Sequence, residues 1–326
     1  MFTKTMYYYI YMKKFIKYLL LSPILLSAIG CAKENKSGGT DMSSDPVSRE
    51  PTPVNVVVIS GQSNAVGCTH SNCITRSMGA SYYQEYMRGY PQIQIAYDCW
   101  TKDVDNSNRS IFYSQNQSKD DNFVKVMLGQ GNSLATFGPE IGIAEELHEE
   151  YEEKLFIIKY ACGASNLKDD WLQKNSPMYP RLINYVKKQM QNLQTKGYIP
   201  TIKAFCWMQG EGDAWDGYYQ EYEQNIATFA ANIRADLKDM AGNKDVPFID
   251  AGISNSKQWQ YYRQVNQAKQ NFAALSDNNI YIDTIGAGMH TDQEPFDEPD
   301  TAHYDTESEV LLGHLFANAF KPFLTK

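Results

Sequence analysis

The stretch Val54–Gly67, VNVVVISGQSNAVG, decides the fold. From Val54 to Ile59 it is dominated by β-branched side chains with no polar alternation, the pattern of a strand covered on both faces. It stops at Ser60-Gly61, and a small polar cluster, Gln62, Ser63 and Asn64, follows at once. In an open α/β sheet the residues just past a buried strand lie at its carboxyl edge, where ligands and reacting atoms collect. Ser63 is therefore a candidate nucleophile. Ser and Asn are also favoured helix caps, so a structural role fits the same residues.

The same kind of strand recurs downstream, each time with a helical pattern between. Gly138-Pro139-Glu140 opens a helix through Ile143 and Leu147, and LFIIKY from Leu155 to Tyr160 is a second buried strand, ending at Cys162-Gly163. An amphipathic run from Tyr179 to Lys196 precedes a third strand, IKAFCW, from Ile202 to Trp207, which ends at Gln209-Gly210-Glu211. Tyr222, Ile226, Phe229, Ile233, Leu237 and Met240 step by three or four, as on a helix packed along one face. A fourth strand, Val246 to Ala251, a helix from about Gln258 to Leu275, a fifth strand, Ile280 to Asp283, and a last helix from about Thr306 to Phe320 complete the pattern. The expected fold is α/β: a doubly wound, parallel, five-stranded sheet flanked by helices, with right-handed crossovers. That topology puts Ser63, Gly163, Gln209 and His303 along one carboxyl edge. Residues 68–130 show little periodicity and read as a loop insertion that walls the site.

At 326 residues and 43% apolar, the chain can bury one large core or two small ones. Its formal net charge is −8, and the first thirty residues carry Lys4, Lys13, Lys14 and Lys17 but no acid, so the remainder is more acidic still. An acidic body argues against nucleic acid and anionic lipid as partners. The amino terminus reads as an address. A basic segment, an apolar stretch from Tyr18 to Leu26 too short to span a bilayer, and Ser27-Ala28-Ile29-Gly30 lead into Cys31. This resembles a bacterial lipoprotein signal, which implies lipidation of Cys31, export, and an outer-membrane tether on the periplasmic or surface side of a Gram-negative cell. An ordinary secretory signal cut nearby fits the same residues, and Met12 is an alternative start. Residues 1–31 are then the signal, 32–53 a flexible tether and 54–326 the folded domain.

Five cysteines remain: Cys68, Cys73, Cys99, Cys162 and Cys206. Export allows disulfides among the first three, while Cys162 and Cys206 sit on or beside buried strands, where Cys acts as a small hydrophobe. No spacing suits a zinc site and no His pair has metal-ligand spacing, so neither metal nor cofactor is expected.

Five ordered blocks carry a family resemblance: GQSN (Gly61–Asn64), FGPE (Phe137–Glu140), ACGASNL (Ala161–Leu167), WMQGEGDA (Trp207–Ala214) and DTAH (Asp300–His303). Together they resemble the sialate O-acetylesterase-like domain of the SGNH hydrolase superfamily, related to carbohydrate esterase family six. The resemblance runs from about Val54 to the carboxyl terminus and implies a flavodoxin-like three-layer sandwich. It also implies a carbohydrate O-acetylesterase acting through a serine acyl-enzyme, on O-acetyl sialic acid or an acetylated polysaccharide such as xylan. Carried over by position, Ser63 is the nucleophile, His303 the base and Asp300 its orienting partner; the Ser63 amide, the Gly163 amide and the Gln209 side chain form the oxyanion hole. Ala164, Met208 and Gly212 depart from the family pattern, which bears on the acyl pocket.

The residue types suit that chemistry independently. A serine hydroxyl needs a base within hydrogen-bond reach, and Asp300, three residues before His303, can reach back to one ring nitrogen and fix the tautomer. His290 with Asp292 is a rival pair on the same loop. Gln62, Asn64 and Glu211 are candidate substrate contacts, although Asn64 equally orders the Ser63 loop and Glu211 equally caps a helix. Glu140 reads as structural, at a helix start. Trp171, Trp215, Tyr218 and Tyr219 follow the edge loops and suit either sugar stacking or the wall of the core. A non-catalytic glycan-binding lipoprotein and an SGNH lipase or thioesterase are the competing functions.

Overall fold

A computed structural model describes residues 50–149, 151 and 154–324. The expected signal, Cys31 and most of the tether lie outside them. Thr52 and Pro53, assigned to the tether, are instead the first residues of strand β1 (Thr52–Gly61). Among the described residues no helix is long and apolar enough to cross a membrane.

β1 runs through the middle of an eight-stranded sheet. On one side lie β8 (Tyr198–Met208), β9 (Phe248–Ala251) and β10 (Asn279–Ile282); on the other lie β7 (Leu155–Gly163) and β3 (Tyr90–Val104). These six strands are mutually parallel, so the carboxyl ends of β1, β7 and β8 meet at one edge. β4 (Ser110–Gln117) and β5 (Val124–Val126) pair antiparallel with β3, and a separate ladder joins β2 (Thr69–His70) to β6 (Thr136–Phe137). The sheet is therefore larger than the five strands expected, and residues 68–130 are not a loop insertion. β3 hides behind Pro91, Gln92, Gln94 and Asp98, yet Ile93, Ile95, Ala96 and Cys99 are fully buried against β7. It stays paired with β7 as far as Thr101, opposite Gly163, and on its other side carries the mostly exposed edge strand β4.

Each face of the sheet has its own packing device. On one, Phe205 and Trp207 of β8 meet Phe229 from the helix Tyr222–Leu237, and Tyr179 from the helix Tyr179–Thr195 meets the same Phe229 edge-on. On the other, the helices Glu140–Leu147 and Thr306–Phe320 cross at a glycine contact. A Cβ on Gly142 would sit 1.9 Å from the Val310 carbonyl oxygen, and one on Gly313 would sit 2.6 Å from the Gly142 Cα. All five described cysteines are free thiols, Cys99 turned towards the carbonyls of Val66 and Gln130.

Lys159 of β7 is wholly buried beneath the turn that carries Ser63. Its ammonium donates to Glu140 Oε2 (2.7 Å) and to the carbonyls of Gln130 (2.7 Å) and Val66 (3.0 Å), the last being the end of the Ser63 turn. Burial pushes this ammonium down, but the charge and hydrogen bond of Glu140, with smaller contributions from Cys99 and Tyr97, together hold it above the ordinary lysine range. Glu309, also buried, has its carboxyl pushed well up, by burial first and then by the charge of Glu140. Breaking a buried pair strands the remaining charge. Lys159→Met is expected to cost about 3–5 kcal/mol in urea denaturation, and Lys159→Met with Glu140→Gln to recover most of it. A single-variant loss under about 1 kcal/mol would contradict the pairing.

Candidate active site

β1 ends at Gly61 because nothing larger fits there: with φ at +142°, a Cβ would lie 1.9 Å from the Met208 carbonyl oxygen of β8. The chain then turns at once. The N–H of Gln62 donates to that same carbonyl, and the N–H groups of Ala65 and Val66 donate to the Gln62 carbonyl, closing the short helix Ser63–Val66. Ser63 opens this helix, so its N–H has no partner within it. It is half-buried, and a Cβ on Gly163, the last residue of β7, would come within 3.9 Å of the Ser63 Cβ.

The DTAH segment is a closed unit. His303 Nδ1 lies 2.6 Å from Asp300 Oδ2, while Asp300 Oδ1 accepts from the N–H groups of Ala302 (2.7 Å) and His303 (2.8 Å). Burial pushes the Asp300 carboxyl up, but the His303 charge and these hydrogen bonds outweigh it and leave it below the ordinary aspartate range. With the carboxylate ionised, Nδ1 carries the proton and Nε2 is left basic. Between Asp300 and His303, Thr301 sits at φ +59°, a left-handed conformation costly for a β-branched residue. Gln258 holds it there, donating to Asp300 O (2.9 Å) and Thr301 Oγ1 (2.6 Å), with Thr291 Oγ1 donating to Thr301 O (3.1 Å).

One residue ties the two halves together. Asn64 Oδ1 accepts from the Tyr304 N–H (3.1 Å) and Asn64 Nδ2 donates to Glu211 Oε1 (2.8 Å). The residue after the candidate nucleophile is thus bonded to the residue after the candidate base.

Several expected roles change once the side chains are placed. Gln209, expected as an oxyanion donor, is fully buried; its Nε2 donates to Asp213 Oδ2 (2.6 Å) and Gln62 Oε1 (3.2 Å), and its Oε1 accepts from the Tyr222 hydroxyl (3.0 Å). Both amide hydrogens are spent inside the protein, so it braces the edge and does not face a substrate. Gln62, expected as a substrate contact, is 4% exposed, and its Oε1 also accepts from the N–H groups of Gly210 and Gly212. Asn64 (1%) and Glu211 (0%) are equally inaccessible, so these three are scaffold. His290 does not pair with Asp292: its Nδ1 goes to Asp305 Oδ2 (2.7 Å), and Asp305 also accepts from the N–H groups of Gln293 and Glu294, closing that turn onto the last helix. Glu140 is the buried partner of Lys159, and Trp171 is core, its indole N–H donating to Ser165 Oγ (2.8 Å).

Asp213 was not singled out from sequence, yet it is central. Besides Gln209 it accepts from the N–H groups of Leu167 (2.7 Å) and Lys168 (3.3 Å), pinning the segment after β7 to the short helix Glu211–Asp216 that follows β8. Burial raises its carboxyl to about 6 against those hydrogen bonds. Next to Gly163, Ala164 holds φ +58°, so the position that departs from the family's second glycine is strained. Ala164→Gly is expected to raise stability by about 0.5–1 kcal/mol, read as a shifted urea midpoint; an unchanged or lowered midpoint would show the strain to be negligible.

The family model for carbohydrate esterase, sialic acid-specific acetylesterase, matches residues 53–322, nearly the whole described region. The chain belongs to this family. A search of curated proteins finds no match. Among solved structures, a protein from Arabidopsis thaliana is similar at 19% identity and a TM-score of 0.55, over 84% of this chain and 100% of that one. A carbohydrate acetylesterase from Xanthomonas citri aligns at 16% identity and 0.54, over 82% and 56%. NanS aligns at 14% and 0.51, over 84% and 98%. At these identities the structural likeness shows the fold, while the family match makes the chain a carbohydrate esterase.

Proposed function

We propose that this esterase removes acetyl groups from sugar hydroxyls through a covalent acetyl-Ser63 intermediate. The observation that supports this most is the Asn64–Tyr304 bond, which fastens the Ser63 turn to the His303–Asp300 dyad. In this reading His303 Nε2 takes the Ser63 proton as Oγ attacks the acetyl carbonyl, and Asp300 stabilises the imidazolium through Nδ1–H. The oxyanion is met by the N–H groups of Ser63 and Gly163. Gln209 contributes by holding the edge through Asp213 and Gln62. His303 then returns the proton to the departing sugar oxygen, and water repeats the sequence to release acetate.

The test is to offer acetylated sugars, to measure released acetate, and to treat the protein with a fluorophosphonate before peptide mapping. Acetate release, together with phosphonylation of the peptide bearing Ser63, is the expected result. Acetate release with the label absent or elsewhere would overturn the serine mechanism, and no release from any acetyl ester would overturn the esterase reading.

A further inference from the structure

An aromatic and amide-rich track leads away from the dyad. Gln258, which holds Asp300 and Thr301, is followed by Trp259, and Trp259 packs edge-on against Trp215 with ring centroids 6.4 Å apart. Trp215 sits on the helix Glu211–Asp216 that leaves the carboxyl end of β8, and it is 37% exposed where a core tryptophan such as Trp171 is not exposed at all. Two residues beyond Trp259, Tyr261 stacks face to face on Tyr219 at 3.9 Å. Tyr219 in turn lines an open cleft of about 320 Å³, together with Gln220, Arg263, Gln264, Gln267 and Asn271. That volume is in the range of small-molecule sites.

Resting on the acetylesterase reading, we propose that Trp215, Trp259 and this cleft bind further units of a neutral oligosaccharide whose acetyl group is presented to Ser63. Aromatic faces complement the C–H faces of pyranose rings, and side-chain amides both donate to and accept from sugar hydroxyls. The charges favour a neutral chain. The cleft is lined by one cation, Arg263, and one anion, Glu223, whose carboxylate accepts from Asn271 (2.7 Å), so its lining carries no net charge.

The experiment compares kcat/KM for acetylated xylotetraose, acetylated mannotetraose, acetylated xylose and O-acetyl sialic acid. At least one tetrasaccharide is expected to exceed acetylated xylose by about tenfold or more, because binding energy far from the reacting bond raises kcat/KM. In Trp215→Ala that ratio is expected to fall towards one, and in Gln264→Ala with Gln267→Ala to fall partway; a ratio internal to each variant is insensitive to lost active fraction. A wild-type ratio near one for both tetrasaccharides, a ratio kept in Trp215→Ala, or a preference for O-acetyl sialic acid over both would overturn the proposal. A second readout does not depend on turnover: unacetylated tetrasaccharide titrated onto the wild-type protein should change its tryptophan fluorescence, and Trp215→Ala should lose that response. Saccharide binding without acetate release would sink the esterase reading and leave the track standing, whereas acetate release without binding or chain-length preference would sink the track alone.

Discussion

Ser63→Ala is expected to lower kcat on acetyl esters by about 10⁴-fold or more, with the fold and melting temperature kept. Loss of a serine nucleophile removes the acyl-enzyme route altogether, and what remains is the modest rate supplied by binding and the oxyanion donors. The change removes one oxygen from a half-buried side chain whose backbone is fixed by neighbours, since the side chains of Gln62 and Asn64 tie the turn to Gly210, Glu211, Gly212 and Tyr304. Steady-state kinetics with p-nitrophenyl acetate, alongside circular dichroism to show intact folding, decides it. A variant that keeps more than about a tenth of wild-type activity would remove Ser63 from the chemistry.

Asp300→Asn is expected to cost about 10³- to 10⁴-fold in kcat. The amide is nearly the shape of the carboxylate, but its NH₂ can face Nδ1, which favours the tautomer with its proton on Nε2, where it cannot accept from Ser63. The pH profile separates this pair of groups. Because the Asp300 pKa is depressed, its stabilising contribution is present above the ordinary aspartate value and fades only as pH falls through the lower, folded value. Asp300 is therefore ionised throughout the range in which imidazole titrates, and on the proposed mechanism the wild-type acid limb is expected to belong to His303. Activity should fall as pH drops through about 8 to 5, the range in which imidazoles protonate. A profile flat across that interval would contradict His303 as base.

How much of this was written in the chain differs from element to element. β1 from Val54 on, β7, and the second half of β8 announce themselves because both faces are covered there, so the side chains need no alternation. The last helix begins at Thr306 as its pattern predicts, held by Glu294 Oε2 accepting from the Thr306 N–H and hydroxyl. The dyad was legible because three residues of spacing suffice for a side chain to reach back to its neighbour's ring. β3 was not, since its place beside β7 is set by a partner some sixty residues away and its own sequence carries Pro and Gln. Nor could sequence tell which way Gln209 points: one residue past a strand, an amide faces the cleft or the core according to whether Asp213 and Tyr222 wait inside. The Gln258 brace on Thr301 spans 43 positions with no local signature, and the left-handed Thr301 that needs it leaves no trace in residue type.

The Asn64 bridge spans 240 positions, close to the full length of the folded region. The Ser63 turn and the His303–Asp300 pair are consequently members of one truss whose two ends are distant along the folded region, so no half-folded fragment can hold the two in register. Turnover becomes a reporter of global cooperativity: the denaturant concentration that halves activity should coincide with the one that halves the native signal, with no inactive yet folded plateau between them.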